Sequence, residues 1–229
     1  MTTALITGAN KGIGLETARR LADLGWTIHL GARDRERGEA AAASIEGDVR
    51  WLPLDVTSDE SVAAAVEQVD ELDVLVNNAG VMGGHTPVLE TAPADFLACF
   101  GVNLLGPVRV TRAFLPKLQR SEHPRIVMVS SGLGSLTRTA DPTLVEHTVS
   151  SLVYPSSKAA LNMVTTQYAR VLPTFKVNAA DPGYTATDLN GHRGHKTVEQ
   201  GAEVVVRLAT LDDDGPTGAY FDDQGPVPW

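Results

Sequence analysis

Tyr154 and Lys158 stand four residues apart, which on a helix puts a phenol and an ammonium on one face. A phenol ionises near pH ~10, so trading a proton near neutrality requires its anion to be stabilised, and a neighbouring cation does that. The pair suits proton transfer to or from a carbonyl oxygen. Far upstream, Thr7-Gly8-Ala9-Asn10-Lys11-Gly12-Ile13-Gly14 reads as a strand running into a glycine turn and a helix. Backbone N–H groups at such a helix start can meet a pyrophosphate. Each signal alone is weak: Tyr and Lys at this spacing recur on exposed helices, and glycines also serve ordinary tight turns.

The elements that must position these groups are legible in the hydrophobic pattern. Short apolar runs alternate with helical ones: strand Ala4–Thr7, helix Ile13–Leu24, strand Thr27–Gly31, helix Arg35–Ile45, strand Arg50–Leu54, a helix after the Thr57/Ser58 cap signal, and strand Asp73–Val76. A longer helix follows Pro93, bends near Gly106-Pro107 and ends near Pro116. Strand Arg125–Ser130, an irregular stretch to Val153, helix Tyr154–Val171, strand Phe175–Ala180, a helix over Thr197–Ala209 and a short strand at Ala219–Phe221 complete the pattern. This is an α/β chain: a doubly wound, mostly parallel seven-stranded sheet with helices on both faces, one domain over residues 1–229. Ligands on such sheets bind at the carboxyl ends of the strands, where every motif here falls.

Composition narrows the function classes. The 28 acidic residues exceed the 19 basic ones, giving a formal charge of −9, which works against nucleic-acid binding. Cys99 is the only cysteine, so no intramolecular disulfide forms, and in an apolar helix it reads as core packing. Strand-forming sequence begins by Ala4, leaving no room for a leader, and no apolar run approaches the ~20 residues of a membrane span; a cytoplasmic protein without membrane association is expected. His85, His147, His192 and His195 invite a metal reading, but no tight ligand spacing joins them.

The Gly-x-x-x-Gly-x-Gly turn, Asn77-Asn78-Ala79-Gly80 after the fourth strand and the Tyr-x-x-x-Lys helix together resemble the short-chain dehydrogenase/reductase family, over nearly the whole chain. The resemblance implies a nicotinamide dinucleotide held by Gly8, Asn10, Lys11, Gly12 and Ile13, with Asp55 and Val56 on the adenine and Asn78, Ala79 and Gly80 along the ribose. Asp55 alone also reads as a cap for the next helix. Pro182, Gly183, Thr185 and Thr187 match the loop that holds the nicotinamide carboxamide. Tyr154 and Lys158 match the catalytic pair and also contact cofactor; Ser131 matches the hydroxyl that bonds the substrate oxygen, with Ser130 orienting the loop. Asn103 matches the asparagine that holds a water in a relay running Tyr154, ribose hydroxyl, Lys158, water, although an Asn there also suits a buried backbone group.

Cofactor choice rests on the end of the second strand. If Ala32-Arg33 begins the loop, the guanidinium grips a 2′-phosphate, Lys11 adds a second charge, and NADP(H) is expected over NAD(H); in the other register Asp34 bonds the ribose of NAD(H). The interval from Ser131 to Tyr154 is longer than in most members, and the extra residues, Thr139 to His147, should lie over the substrate pocket. Monomeric carbonyl reductases of the family carry a longer insertion there; a monomer or small homo-oligomer is expected. Met82, Leu133, Val145, His147, Val153, Tyr184 and Leu189 should border an open pocket for a small-molecule carbonyl or alcohol substrate. The alternative is a dinucleotide sensor or scaffold of the same fold, whose usual sign is loss of Ser131, Tyr154 or Lys158; all three are present.

Overall fold

The computed structural model describes residues 1–84 and 86–229. Its strands are β1 (Thr3–Thr7), β2 (Thr27–Ala32), β3 (Val49–Pro53), β4 (Val74–Asn77), β5 (Arg125–Val129), β6 (Lys176–Ala180) and β7 (Tyr220–Phe221). They form one seven-stranded sheet in the order β3-β2-β1-β4-β5-β6-β7, and every neighbouring pair is parallel. The order reverses between β1 and β4, so the crevice outside their carboxyl ends is the natural ligand position.

Alternation along the strands divides the core in two, because successive side chains point to opposite faces. Ala4, Ile6, Ile28, Leu30, Val74, Val76, Val127 and Val129 face helices α1 (Gly12–Ala22), α2 (Arg35–Ala43) and α8 (Val198–Ala209). Leu5, Leu52, Leu75, Ile126, Met128 and Val177 face α3 (Asp59–Val66), α5 (Gly106–Leu118) and α7 (Val153–Val171). Ser58 caps α3, accepting from the Ser61 N–H at 3.1 Å, as the sequence suggested.

The long helix departs from expectation at its middle. It is three pieces: α4 (Pro93–Phe100), a π-helical turn over Gly101–Leu105, and α5, which continues through Pro116 to Leu118. The expected bend at Gly106-Pro107 is this wider turn just ahead of them. Pro107 has no N–H, and its ring crowds the carbonyl four residues earlier, that of Asn103, so the α-helical bond there cannot form. Between β5 and α7 the irregular stretch contains a 3-10 turn at Gly132–Gly134, the short helix α6 (Leu136–Ala140) and a 3-10 turn at Val145–Thr148. Among the described residues no helix is long and apolar enough to cross a membrane.

Candidate active site

The glycine turn is fastened to the end of β4. Thr7 Oγ1 accepts from the N–H groups of Asn78 and Ala79, both at 3.0 Å, while Asn78 Nδ2 donates to the carbonyls of Thr7 at 2.8 Å and Gly8 at 3.1 Å. Gly8 and Gly12 adopt φ of +63° and +56°, a region that favours glycine, and a Cβ on Gly8 would stand 2.9 Å from Ala79 Cα. No side chain caps the first turn of α1, and no acidic residue occupies it. Its leading amides are left for an anion, which is what a dinucleotide pyrophosphate requires. Asn10 and Ile13 sit half-buried on either side.

At the adenine end β2 stops at Ala32, so Arg33 begins the loop; it is exposed and forms no ion pair among the described residues. Asp34 is engaged elsewhere: it caps α2, accepting from the Arg37 N–H at 2.9 Å. Asp55 Oδ1 accepts from the Thr57 N–H at 2.9 Å and hydroxyl at 2.7 Å, so the local turn does use this carboxylate. Burial pushes its pKa up, but the Thr57 bonds and the charges of Arg33 and Arg109 leave it below the usual carboxylate value. Val56 is buried against Gly106. Lys11 does not stand free beside Arg33: its ammonium is 2.6 Å from Asp188, whose other oxygen is 2.7 Å from His192 Nε2.

Ser131, Tyr154 and Lys158 converge beyond β5. Ser131 caps the 3-10 turn after the strand, its Oγ accepting from the Leu133 N–H at 3.3 Å. Burial drives the Tyr154 phenol above its ordinary pKa, and hydrogen bonding from Ser131 opposes that rise. Lys158 Nζ donates to the Val129 carbonyl at 2.7 Å and lies 5.6 Å from the centre of the Tyr154 ring. Burial brings the lysine down to about 8. Lys158 thus lies alongside Tyr154, with its ammonium turned to the Val129 carbonyl. Ser130 is buried and donates to Asn162 Oδ1 at 2.6 Å, and Asn162 donates to the Gly134 carbonyl, which fixes the loop as expected.

Asn103 lies in the π-turn with its amide fully used: Oδ1 accepts from Val81 N–H at 2.8 Å, and Nδ2 donates to the Val81 carbonyl at 2.9 Å and to Ser157 Oγ at 3.0 Å. Gly80 faces this group; a Cβ there would stand 3.5 Å from Asn103 Oδ1 and 3.8 Å from Lys158 Nζ. In the loop after β6, Pro182 is buried, Gly183 has φ +70°, and Thr185 is buried with its hydroxyl on the Pro182 carbonyl at 3.1 Å. Thr185 therefore shapes the loop from within. Thr187 approaches the glycine turn, 3.3 Å from where a Gly12 Cβ would be.

Met82, Leu133 and Val153 pack with Tyr154 and Cys99, whereas Val145, His147, Tyr184 and Leu189 are exposed. His147 bonds the Thr139 carbonyl at 2.9 Å and His195 lies against Tyr184; His85 lies outside the described residues. Sequence reasoning missed Ser157, which donates to the Tyr154 carbonyl at 2.7 Å and links it to Asn103. Its position three residues after Tyr154, facing the long helix, was the available signal. It also missed Arg138, whose partners come from three separate segments.

Comparison with known proteins matches this arrangement. The chain is 35% identical to (−)-isopiperitenone reductase of Mentha piperita, with 95% of each covered; that alignment runs over 298 positions against 229 residues here, so the relative carries internal segments this chain lacks. Among solved structures, salutaridine reductase from Papaver somniferum superposes with a TM-score of 0.84 at 30% identity, covering 97% of this chain and 100% of that one. NADPH-bound carbonyl reductase from chicken fatty liver superposes with a TM-score of 0.87 at 26% identity, covering 100% and 99%. The family model described as short chain dehydrogenase matches residues 2–198, and the chain belongs to that family of oxidoreductases.

Proposed function

We propose that this protein is an NADPH-dependent carbonyl reductase, working reversibly as an alcohol dehydrogenase on a ketone or aldehyde. The observation that carries the reading is the convergence of the Ser131 and Tyr154 hydroxyls beside buried Lys158, at the strand ends that also carry the anion-ready start of α1. The dinucleotide would be held by the glycine turn, Asp55, Val56, Asn78 to Gly80, and the Pro182-Gly183 loop with Thr187. Arg33 supports the phosphorylated cofactor, being a guanidinium at the loop start with no competing partner among the described residues. Lys11 would join it by leaving Asp188. When bound, the nicotinamide supplies or accepts the hydride.

The chain's own residues handle the oxygen. Ser131 orients and polarises the carbonyl, stabilising the negative charge that develops on it. Tyr154 Oη, held protonated by burial, gives that oxygen its proton in reduction and removes it in oxidation. Lys158 supplies the positive charge that makes the phenolate reachable once its ammonium is shared with bound ligand rather than with Val129 alone. Asn103 keeps its side chain on Val81 and Ser157, so its part in passing the proton to solvent falls to its backbone carbonyl, which Pro107 cannot bond.

Nicotinamide fluorescence with NADPH and NADH, followed by absorbance loss with a panel of ketones, quinones and aldehydes, tests the reading. Turnover of a carbonyl with NADPH is expected; binding without turnover would favour a sensor, and no binding would overturn the cofactor assignment. Tyr154→Phe should abolish turnover while NADPH still binds, and near-normal activity in that variant would refute the mechanism. Arg33→Ala should lose most of the preference for NADPH over NADH in kcat/KM; an unchanged ratio would remove Arg33 from the site.

A further inference from the structure

A second charged cluster beside the catalytic groups has no task in the chemistry above. Arg138, on α6, reaches three carboxylates: Nη1 is 3.1 Å from Asp181 and 3.4 Å from Glu146, and Nη2 is 2.6 Å from Asp222. All four side chains are largely buried, Asp181 at 5% exposure the most. Three anions around one cation in such a place carry a desolvation penalty that apolar packing would avoid, so the cluster is weak as a device for stability alone.

Asp181 also meets backbone on both sides. Its Oδ1 accepts from the Gly183 N–H at 2.9 Å, and its Oδ2 lies close against the Gly132 backbone. The approach to Gly132 is close, since a Cβ there would stand 2.9 Å from Asp181 Oδ2 and 2.5 Å from Glu146 Oε1. Gly132 follows Ser131, and Gly183 lies in the loop that would hold the nicotinamide. One carboxylate thus spans the substrate side and the cofactor side of the crevice.

We propose that Asp181, gripped by the Arg138 fork, is a positioning residue that fixes the Ser131 loop against the Pro182-Gly183 loop and so sets the spacing between the bound carbonyl and the cofactor; this rests on the carbonyl-reductase reading. Small misplacements of reacting groups lower rates steeply, which gives such a tie its value. Its charge acts too. Asp181 faces Arg138, Glu146, Asp222 and Tyr220 on one side and Tyr154 and Lys158 on α7, while Tyr154 is faced by Ser131, Cys99, Asp181 and Lys158. The carboxylate makes the Tyr154 phenolate harder to form.

Asp181→Asn keeps the shape but points an amide nitrogen at a donor, and Arg138→Lys keeps the charge but loses the fork. In the full-length protein without ligand, amide hydrogen exchange over residues 131–135 and 182–187 should quicken about tenfold in Asp181→Asn, through loss of the tie. With NADPH and a reducible carbonyl, kcat should fall about tenfold or more while KM for NADPH changes far less. The pH at which rate depends on Tyr154 should move down in Asp181→Asn and stay in place in Arg138→Lys, which should also retain more kcat than Arg138→Gln. Unchanged exchange at both segments, or wild-type kcat and pH profile in Asp181→Asn, would overturn the proposal. If the wild-type protein reduces no carbonyl, the enzymatic reading fails and the exchange result still decides whether Asp181 ties the loops. Should Asp181→Asn not fold, exchange in Arg138→Lys carries the same decision.

Discussion

Lys158 occupies a position that costs stability. Its ammonium is buried, its hydrogen-bond acceptor is the neutral Val129 carbonyl, and burial brings its pKa from 10.5 to about 8. Between those two values the unfolded chain still holds a proton that the folded protein has released, so this residue makes stability rise with pH across the window and imposes its full penalty below about 8. Lys158→Met should therefore be more stable than wild type at pH 7 by roughly 1–3 kcal/mol, with the difference shrinking toward pH ~10, as read by urea unfolding at several pH values. A variant less stable at pH 7 would show that the bond to Val129 outweighs desolvation. Lys158, Tyr154 and Ser131 were legible because their types and spacing follow a known chemistry. Arg138 was not, since an arginine on a short polar helix reads as solvated surface until Asp181, Glu146 and Asp222 are brought to it by the fold.

The π-turn carries Asn103. It places the Asn103 amide across both polar groups of one backbone residue, an arrangement that holds the segment after β4 against the long helix. Asn103→Ala would strand the Val81 N–H, while Cys99 Sγ still reaches the carbonyl, and is expected to lower unfolding free energy by roughly 1–3 kcal/mol, measured by denaturant titration. A loss below ~0.5 kcal/mol would mean that solvent reaches the N–H in compensation. The helix from Pro93 to Leu118 was readable as a whole from its apolar interval, yet its internal turn was not, because one inserted residue barely disturbs a period read over many. Pro107 was the visible clue, and its meaning lay four residues upstream at Asn103. The strands were easier: buried on both faces, they appear as continuous apolar runs with glycine or polar residues at their ends.

Across the whole molecule, the repeating strand–helix rhythm was enough to foresee a parallel seven-stranded sheet, while the strand order itself came from the structure. The contacts that finish the site were beyond such reasoning, because Lys11 with Asp188 and Thr7 with Asn78 join segments that no local pattern connects. The packing of α1 on α8 is the widest such junction: Ala18, Leu21 and Ala22 share one core with Val204, Val205 and Leu208. A chain emerging from the ribosome makes the first of these helices long before the second. Through most of synthesis the part of the α1 stripe that α8 is to cover therefore stays open, even with β1 and β2 already in place.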